Sequence, residues 1–418
     1  MMDLSHYADY SAYQDGMAPW LGKVPKEWNF TKAKWHLKHQ KRLNFDGKSD
    51  NVLSLTLRGV VNNDPDNPEG LIPKDYRTYQ VFETDDLVFK LIDLENVRTS
   101  RVGLVHEQGI MSSAYIRLVQ PTGWNPRFLY YYYFHLYQAE VFNKIGSGVR
   151  STLGQSDLLD LPIPVLSSET QSAIAAFLDD KCAKIDGAVK IKEDQIALLR
   201  ERRQIIIQDA VTGGLNPAAP MKDSGIDWIG QIPAHWELKS IRYAFRFRNY
   251  QRVPISASDR EGKQGEYPYY GASGIIDYVQ DYIFDEDLIL IAEDGANLLS
   301  KSTPLAFVAT GKYWVNNHAH ILEPLFPGFK YWAELLSAAD YTVYISGSAQ
   351  PKLTRDRLGS VRVPVPPADE RNAIISFIEQ ESDKFRNAIS IKERQIAALK
   401  EYKTSLINAA VTGKIKVI

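Results

Sequence analysis

His318-Ala319-His320 sets two imidazoles two residues apart, and in an extended strand both turn to one face, where they would suit a metal ion. No cysteine or carboxylate signature stands nearby to complete a site, so the pair reads as structural. Glu293-Asp294 and the pair Asp93/Glu95 lack the downstream lysine spacing of a nuclease centre. Gly311-Lys312 departs from a phosphate-binding loop, with Ala306 where the leading glycine belongs and Tyr313 where Ser or Thr belongs. Gly146-Ser147-Gly148 lacks a third glycine and precedes no helical pattern, so it makes no dinucleotide or S-adenosylmethionine loop. Asn67-Pro68-Glu69 and Asn125-Pro126-Arg127 fall short of the Asn-Pro-Pro-Tyr run of an amino-methyltransferase. Cys182, the single cysteine, excludes an intrachain disulfide framework and reads as a small packed side chain rather than a nucleophile. On this reading the chain carries no catalytic centre, metal or cofactor of its own.

What remains is the chemistry of base and phosphate contact. Arg and Lys bond guanine edges or phosphates, and Asn pairs bidentately with adenine. Such residues stand in turn-rich stretches at Arg58, Asn62, Asn63, Arg98 and Arg101, and again at Arg248, Arg252, Lys263, Asn297 and Lys301. They are the DNA-binding candidates. The formal charge of −2 decides nothing, because distribution matters more than the sum. Two basic clusters do recur. Lys32, Lys34, Lys38, Lys41 and Arg42 surround Trp35 and His36. Lys239, Arg242, Arg246, Arg248 and Arg252 surround Tyr243, Phe245, Phe247 and Tyr250. Each cluster reads either as a solvated face or as a row of phosphate contacts.

The elements that must position these residues come in duplicate. Residues 161–215 align without a gap onto 361–415, an offset of 200 with 20 identities in 55 positions, where chance gives roughly three. Both blocks close on Ala-Val-Thr-Gly, at Gly213 and Gly413. Trp20-Leu21-Gly22-Lys23-Val24-Pro25-Lys26-Glu27-Trp28 returns at an offset of 208 as Trp228-Ile229-Gly230-Gln231-Ile232-Pro233-Ala234-His235-Trp236.

Both repeated blocks are helical in pattern. Apolar residues fall at Ile174, Leu178, Cys182, Ile185, Val189, Ile196, Leu199 and Ile206 in the first. Ile374, Ile378, Ser382, Phe385, Ile389, Ile396, Leu399 and Leu406 answer them in the second, close to a coiled-coil seam. A helix of about 44 residues is a rod on the order of 65 Å, which cannot hide such a stripe alone. The matched stripes predict that the two helices pair antiparallel, through Ile185, Val189, Ile196 and Leu199 on one and Phe385, Ile389, Ile396 and Leu399 on the other. Lys192, Arg203, Lys392 and Lys403 fall near the seam and must reach outward along their stems. Ser168 with Gln171 three residues on reads as a capping box, and Gly213 and Gly413 as the C-terminal stops. Gly187 and Asn387 are weak helix formers at matched places where a bend is expected.

The expected order is an N-terminal extension at 1–16, a variable domain at 17–160, a helix at 161–214, a linker at 215–226, a second variable domain at 227–360 and a second helix at 361–418. The fold class is α+β: two α/β domains separated by two long antiparallel coiled-coil helices, with an internal pseudo-twofold repeat. In the domains, 86–92 and 287–292 read as matched buried strands, and the aromatic runs 128–134 and 329–336 as helices packed on a sheet. Asn62-Asn63-Asp64-Pro65-Asp66-Asn67-Pro68 and Tyr267-Pro268-Tyr269-Tyr270-Gly271-Ala272-Ser273-Gly274 read as turns. No apolar run nears the ~18 residues of a membrane span, and no secretory signal opens the chain, which together with one cysteine implies a cytoplasmic protein.

This combination resembles the specificity subunit of a type I restriction–modification system over nearly the whole chain. The resemblance rests on the opening motifs at 20–28 and 228–236 and on the helical blocks ending in Ala-Val-Thr-Gly. It also rests on Gly271-Ala272-Ser273-Gly274-Ile275, Glu293-Asp294-Gly295-Ala296 and Trp314-Val315-Asn316-Asn317-His318-Ala319. It implies two target recognition domains, each reading one half of a split sequence in double-stranded DNA, with the helices as spacer. It implies two modification (methyltransferase) subunits as partners, which supply S-adenosylmethionine chemistry, and restriction subunits, which supply ATP-driven cleavage. The first domain has Asp93-Leu94-Glu95-Asn96 where the second has Glu293-Asp294-Gly295-Ala296, so the two half-sites should differ. Two other classes stay open at the level of sequence: a coiled-coil scaffold without a nucleic-acid role, and a stand-alone methyltransferase or nuclease.

Overall fold

Four helices carry the architecture: α1 (Pro126–Gln138), α2 (Ser168–Gly213), α3 (Phe329–Ala338) and α4 (Ala368–Val411). In a computed structural model of the chain, residues 7–64, 73, 75–92, 94, 100–145, 152–347 and 350–417 are described. The chain forms two units, Met1–Lys192 with Glu393–Ile418, and Glu193–Lys392, so each unit holds one half of α2 and one half of α4.

In unit 1 a four-stranded antiparallel sheet runs in the order Lys38–His39, Ile116–Val119, Leu87–Phe89, Val102–Leu104. The central strand, Leu87–Phe89, is the buried run expected at 86–92. α1 lies against this sheet because its aromatic run is amphipathic: Phe128, Leu129, Tyr132, Tyr133 and Leu136 are buried, and Tyr133 meets Phe89 edge-on at 5.0 Å. Asn125 caps the helix, accepting from the amides of Arg127 and Phe128, with Pro126 at its first position. The strand Pro162–Val165 pairs antiparallel with Asn29–Lys32 and leads directly into α2.

Unit 2 repeats this plan. Its sheet runs Phe245–Phe247, Ala319–Pro324, Leu288–Ala292, Ala306–Ala309, with α3 packed on it and Arg362–Val365 paired with Glu237–Ser240 before α4. The units differ in what is added. Unit 1 carries a hairpin, Leu53–Thr56 with Gly59–Asn62, and a further antiparallel pair, Gln80–Phe82 with Gly109–Met111. Unit 2 carries a second sheet in the order Gly274–Val279, Gln264–Gly271, Lys312–Val315, Phe284–Asp285. Here the sequence reading is corrected: 267–271 is strand, not turn, because Tyr269 is buried in the sheet and pairs with Trp314. Pro65, Asp66, Asn67 and Pro68 of the other expected turn lie outside the described residues.

The opening motifs form hairpins, Tyr13–Asp15 with Lys23–Pro25 and Met221–Asp223 with Gln231–Pro233. Each closes over a helix end. Gly413, at φ +70°, lies against Pro25 and Trp28, where a Cβ would collide with the proline ring. In unit 2 the same place belongs to Gly214, at φ +75° against Trp236 and Pro233, so the stop expected at Gly213 falls one residue later. The tandem glycines at 213–214 allow the extra helical residue. The N-cap of α2 is likewise Ser167 rather than Ser168, because the Ser167 hydroxyl accepts from the Thr170 amide at 3.1 Å. Both helices run unbroken through Gly187 and Asn387.

Within unit 1 the α2 and α4 segments run antiparallel: the Lys403 ammonium donates to Asp186 at 2.6 and 2.8 Å, and that of Lys192 to Gln395 at 2.8 Å. Within unit 2 Arg203 donates to the Ser382 hydroxyl at 3.2 Å, while Ile207 and Val211 share a core with Ile374 and Ile378, again antiparallel. Of the pairing candidates, Ile185, Val189, Ile196 and Phe385 are buried, and Leu199, Ile389, Ile396 and Leu399 are half-buried. Beyond Ile196 the buried face of α2 continues at Ile207, with Ile206 half-buried, whereas in α4 both Leu406, as expected, and Ile407 are buried. A step of eleven residues keeps one face of a straight helix, where two heptads would drift around it.

Candidate nucleic-acid interface

In unit 1 the Leu53–Asn62 hairpin holds the candidates. Its tip is Leu57-Arg58, both exposed, with the Arg58 amide donating to the Thr56 hydroxyl at 3.1 Å and Gly59 at φ +97° completing the turn. Asn62 closes the hairpin in an exposed polar cluster. Its amide nitrogen donates to Asn51 at 3.1 Å and to Glu107, and its oxygen lies 3.0 Å from His106 Nε2. The bond from Asn62 holds the Glu107 carboxyl below its ordinary range. Arg58, Asn62 and His106 line one open groove of about 600 Å³. They bring a cation, an amide and an imidazole to one edge, the donor and acceptor types that read base edges. Asn63 turns away from it, donating to the Ser54 hydroxyl at 2.9 Å.

Arg101 does not reach this groove. Its side chain is 1% exposed, so its guanidinium has no path to a groove, and it serves the core instead. Arg98 lies outside the described residues, as do Asp93, Glu95, Asn96 and Gly146-Ser147-Gly148.

In unit 2 most candidates are engaged within the fold. Arg248 bridges Glu286 at 3.0 Å and Glu323 at 2.9 Å with 15% of its side chain exposed. Arg252 pairs with Glu293 at 2.7 Å and donates to the Ala319 carbonyl at 2.8 Å. Asn297 spends its amide on its own loop, accepting from the Thr303 amide and donating to the Thr303 carbonyl. Lys301, at φ +47°, donates to the Ala339 carbonyl at 3.0 Å, where a cation at the C-terminal end of α3 is favoured. Lys263 is exposed at the start of the Gln264–Val279 hairpin. Of the rest of this surface, the sequence reading names Tyr250 and Ile275 but not Val253, Ile276 or Tyr278. Tyr250, Val253, Ile275, Ile276 and Tyr278 are large, apolar and exposed. The Gly271–Gly274 turn was the available signal, and its alternating strand pattern was not used.

The two histidines have separate duties. His318 faces Asp294 at 2.9 Å near the surface. His320 is buried: Nε2 donates to the Leu353 carbonyl at 2.7 Å, leaving Nδ1 to accept from Asn249 at 2.8 Å. Burial lowers its pKa and keeps it neutral. Burial opposes ionisation of the neighbouring Glu293, but the bond from Arg252 and the charges of Arg252 and Lys352 outweigh it, and its carboxyl titrates below its ordinary value. Among the described residues no three His, Cys, Asp or Glu side chains converge as a metal site. The basic clusters are partly neutralised as well: Lys34 meets Asp160 at 2.8 Å, Arg42 meets Glu83 at 2.7 Å and Arg246 meets Glu323 at 3.2 Å. Among the described residues no helix is long and apolar enough to cross a membrane.

Comparison with known proteins fits this arrangement. The family model of the type I restriction modification DNA specificity domain matches residues 58–195 and 233–401. Over 386 residues the chain is 23% identical to the protein assigned as the MjaX type I restriction enzyme specificity subunit of Methanocaldococcus jannaschii, covering 88% of this chain and 85% of that one. Over 134 residues it is 34% identical to the protein assigned as the specificity subunit S.HindORF215P of Haemophilus influenzae, spanning 31% of this chain and about a third (33%) of the relative. A solved chain from work on complex assembly and conformational transition of the type I R-M system superposes with a TM-score of 0.64 at 13% identity, covering 93% of this chain and 98% of that chain, a likeness of fold. With two separate matches of the family model together spanning most of its length, the chain belongs to the type I restriction–modification DNA specificity family.

Proposed function

We propose that this chain is the sequence-reading subunit of a type I restriction–modification complex. The observation that carries the reading is the contrast between its units. Both build the same four-stranded sheet, packed helix and strand leading into a long helix, yet each adds different hairpins and different exposed side chains. A common frame with unlike loops suits two readers of unlike half-sites. Unit 1 reads with Arg58 and Asn62, and unit 2 with Lys263 and the surface of the Gln264–Val279 hairpin. The helices set the unread gap between half-sites. The partners are double-stranded DNA, two modification subunits and restriction subunits, and the chain itself performs no catalysis in the cytoplasm. Its affinity for DNA should fall steeply with salt, as phosphate contacts release counterions.

The test is a swap. Residues 29–150 are replaced by the matching segment of a relative with different specificity, and methylated adenines are mapped in the host genome. One half of the target should change and the other should stay. A change in both halves, or in neither, refutes one domain per half-site.

A further inference from the structure

A surface that reads two different half-sites has no reason to repeat, whereas a surface that receives two copies of one partner must. We propose that Trp35 and Tyr243 anchor two copies of the same partner protein, one on each unit. On the reading above, on which this inference rests, that partner is the modification subunit.

Trp35 and Tyr243 stand 208 residues apart, the offset of the opening motif. Each rides a single helical turn, Ala33–Trp35 and Ile241–Ala244. The two turns are fastened alike. The Ala33 amide donates to the Leu161 carbonyl at 2.8 Å, and the Ile241 amide donates to the Val361 carbonyl at 2.8 Å. Ala33 and Leu37, two positions either side of Trp35, are buried, and so are Ile241 and Phe245 on either side of Tyr243. The rings themselves face solvent, at 73% and 69% exposure. Phe45 and Tyr250 are exposed as well, but the offset of 208 sets Val253 and Arg42 against them, so neither recurs as an aromatic.

The flanking charges repeat as well. Lys34 and Lys38 bracket Trp35 as Arg242 and Arg246 bracket Tyr243. Lys34 lies 5.8 Å from the centre of the Trp35 ring, and Arg242 donates to the Gly359 carbonyl at 3.1 Å beside Tyr243. An exposed aromatic between two cations is a hot-spot arrangement. Because Lys34 is already paired with Asp160 and Arg246 with Glu323, the ring carries the contact, and it calls for a partner that offers an apolar socket. Ile191 and Ile391, one on each unit and exposed at the helical offset of 200, obey the same rule of recurrence. Leu57 and Ile276, by contrast, sit on elements that only one unit possesses.

The experiment uses the full chain with its modification subunit, comparing wild type with Trp35→Ala, Tyr243→Ala and the double variant. Copies bound are counted by native mass spectrometry, and DNA affinity and melting temperature are measured in parallel. Wild type should carry two copies. Each single variant should carry one at concentrations that saturate wild type, a loss of at least tenfold in affinity at one site. The double variant should carry none, with an unchanged melting temperature. Two copies retained by the double variant would overturn the proposal. So would weakened DNA binding with two copies still held, which would make these rings nucleic-acid contacts. A wild-type chain that takes up no modification subunit would overturn the functional reading, and this proposal with it.

Discussion

Arg127 on α1 grips Asp179 on α2 through two parallel contacts, at 2.6 and 2.7 Å, and the Tyr131 hydroxyl donates to the same carboxylate at 2.8 Å. Unit 2 makes the matching tie with Lys330 on α3 and Glu379 on α4, through one contact at 2.7 Å. Both ties fasten a domain helix to the long helix that follows it. The guanidinium fork binds a carboxylate with more geometric constraint than an ammonium. Asp179→Ala should therefore cost about 1 kcal/mol, after allowance for its partial exposure, and Glu379→Ala less than about 0.5 kcal/mol. Urea unfolding of each variant ranks them, and equal losses would contradict the geometry.

Gln171 and Arg371 hold matched positions with unlike side chains, and each makes a second tie within its own unit. Gln171 donates to the Leu166 carbonyl at 2.9 Å and accepts from the Asn125 amide at 2.8 Å. Arg371 donates to the Pro366 carbonyl at 2.6 Å and to Pro327 at 3.0 Å. Each pins the start of a long helix to the turn that opens the domain helix. Arg371→Ala orphans two carbonyls and should cost about 2–3 kcal/mol. Arg371→Gln should recover part of that loss by borrowing the solution used in unit 1. A glutamine variant no more stable than the alanine variant would count against the equivalence.

These ties explain what the sequence could and could not disclose. The repeat, both long helices, the central strands near 87 and 288 and the aromatic helices were legible because hydrophobic periodicity and identity at a fixed offset report local burial directly. Gln171/Arg371 and Arg127/Lys330 escaped notice because equivalence there lies in what the side chain bonds, not in its type. The site was harder still. Arg58 and Arg101 look alike in sequence, yet one stands at a hairpin tip and the other is buried. Arg252 and Lys301 found internal partners that only the tertiary fold brings near, at Glu293 and Ala339.

Ile196 is buried and Leu199 half-buried on the pairing face of α2 in unit 2. Changing both to Asp places charge on that face and should cost several kcal/mol. Calorimetry should show an earlier melting step. An unaltered melting profile would mean that this stretch of α2 gains little from its pairing with α4.

His135, buried on α1 with its Nε2 lacking a hydrogen-bond partner among the described residues, titrates at about 4. Burial is the main cause, and Lys414 adds to it. The folded state therefore resists protonation that the unfolded chain accepts near pH 6.5. The unfolded state binds more protons below that pH, so stability is undiminished above about 6.5 and falls as pH drops toward 4. The full loss is about 3 kcal/mol. His135→Phe should flatten the stability curve between pH 6.5 and 4.5, a window above most carboxylate titrations. A variant curve parallel to wild type across that window would refute the assignment.

The candidate reading residues make the last prediction. Arg58 stands exposed at its hairpin tip, and Asn62 sits in the same groove with His106. If Arg58 bonds a guanine edge, Arg58→Ala should cost about 1–3 kcal/mol on the natural target and relax one position of the first half-site. If it bonds a phosphate, the loss should be the same on every sequence, and the slope of log affinity against log salt should shrink by about one. Asn62→Ala should relax an adenine position and leave the salt slope unchanged, because an amide releases no counterion. Arg101→Lys should leave target preference untouched, because its side chain lies in the core. Affinity measured on a panel of single-base variants at three salt concentrations separates these outcomes. A target preference indifferent to Arg58 and Asn62 but altered by Arg101→Lys would place the reading surface of unit 1 elsewhere.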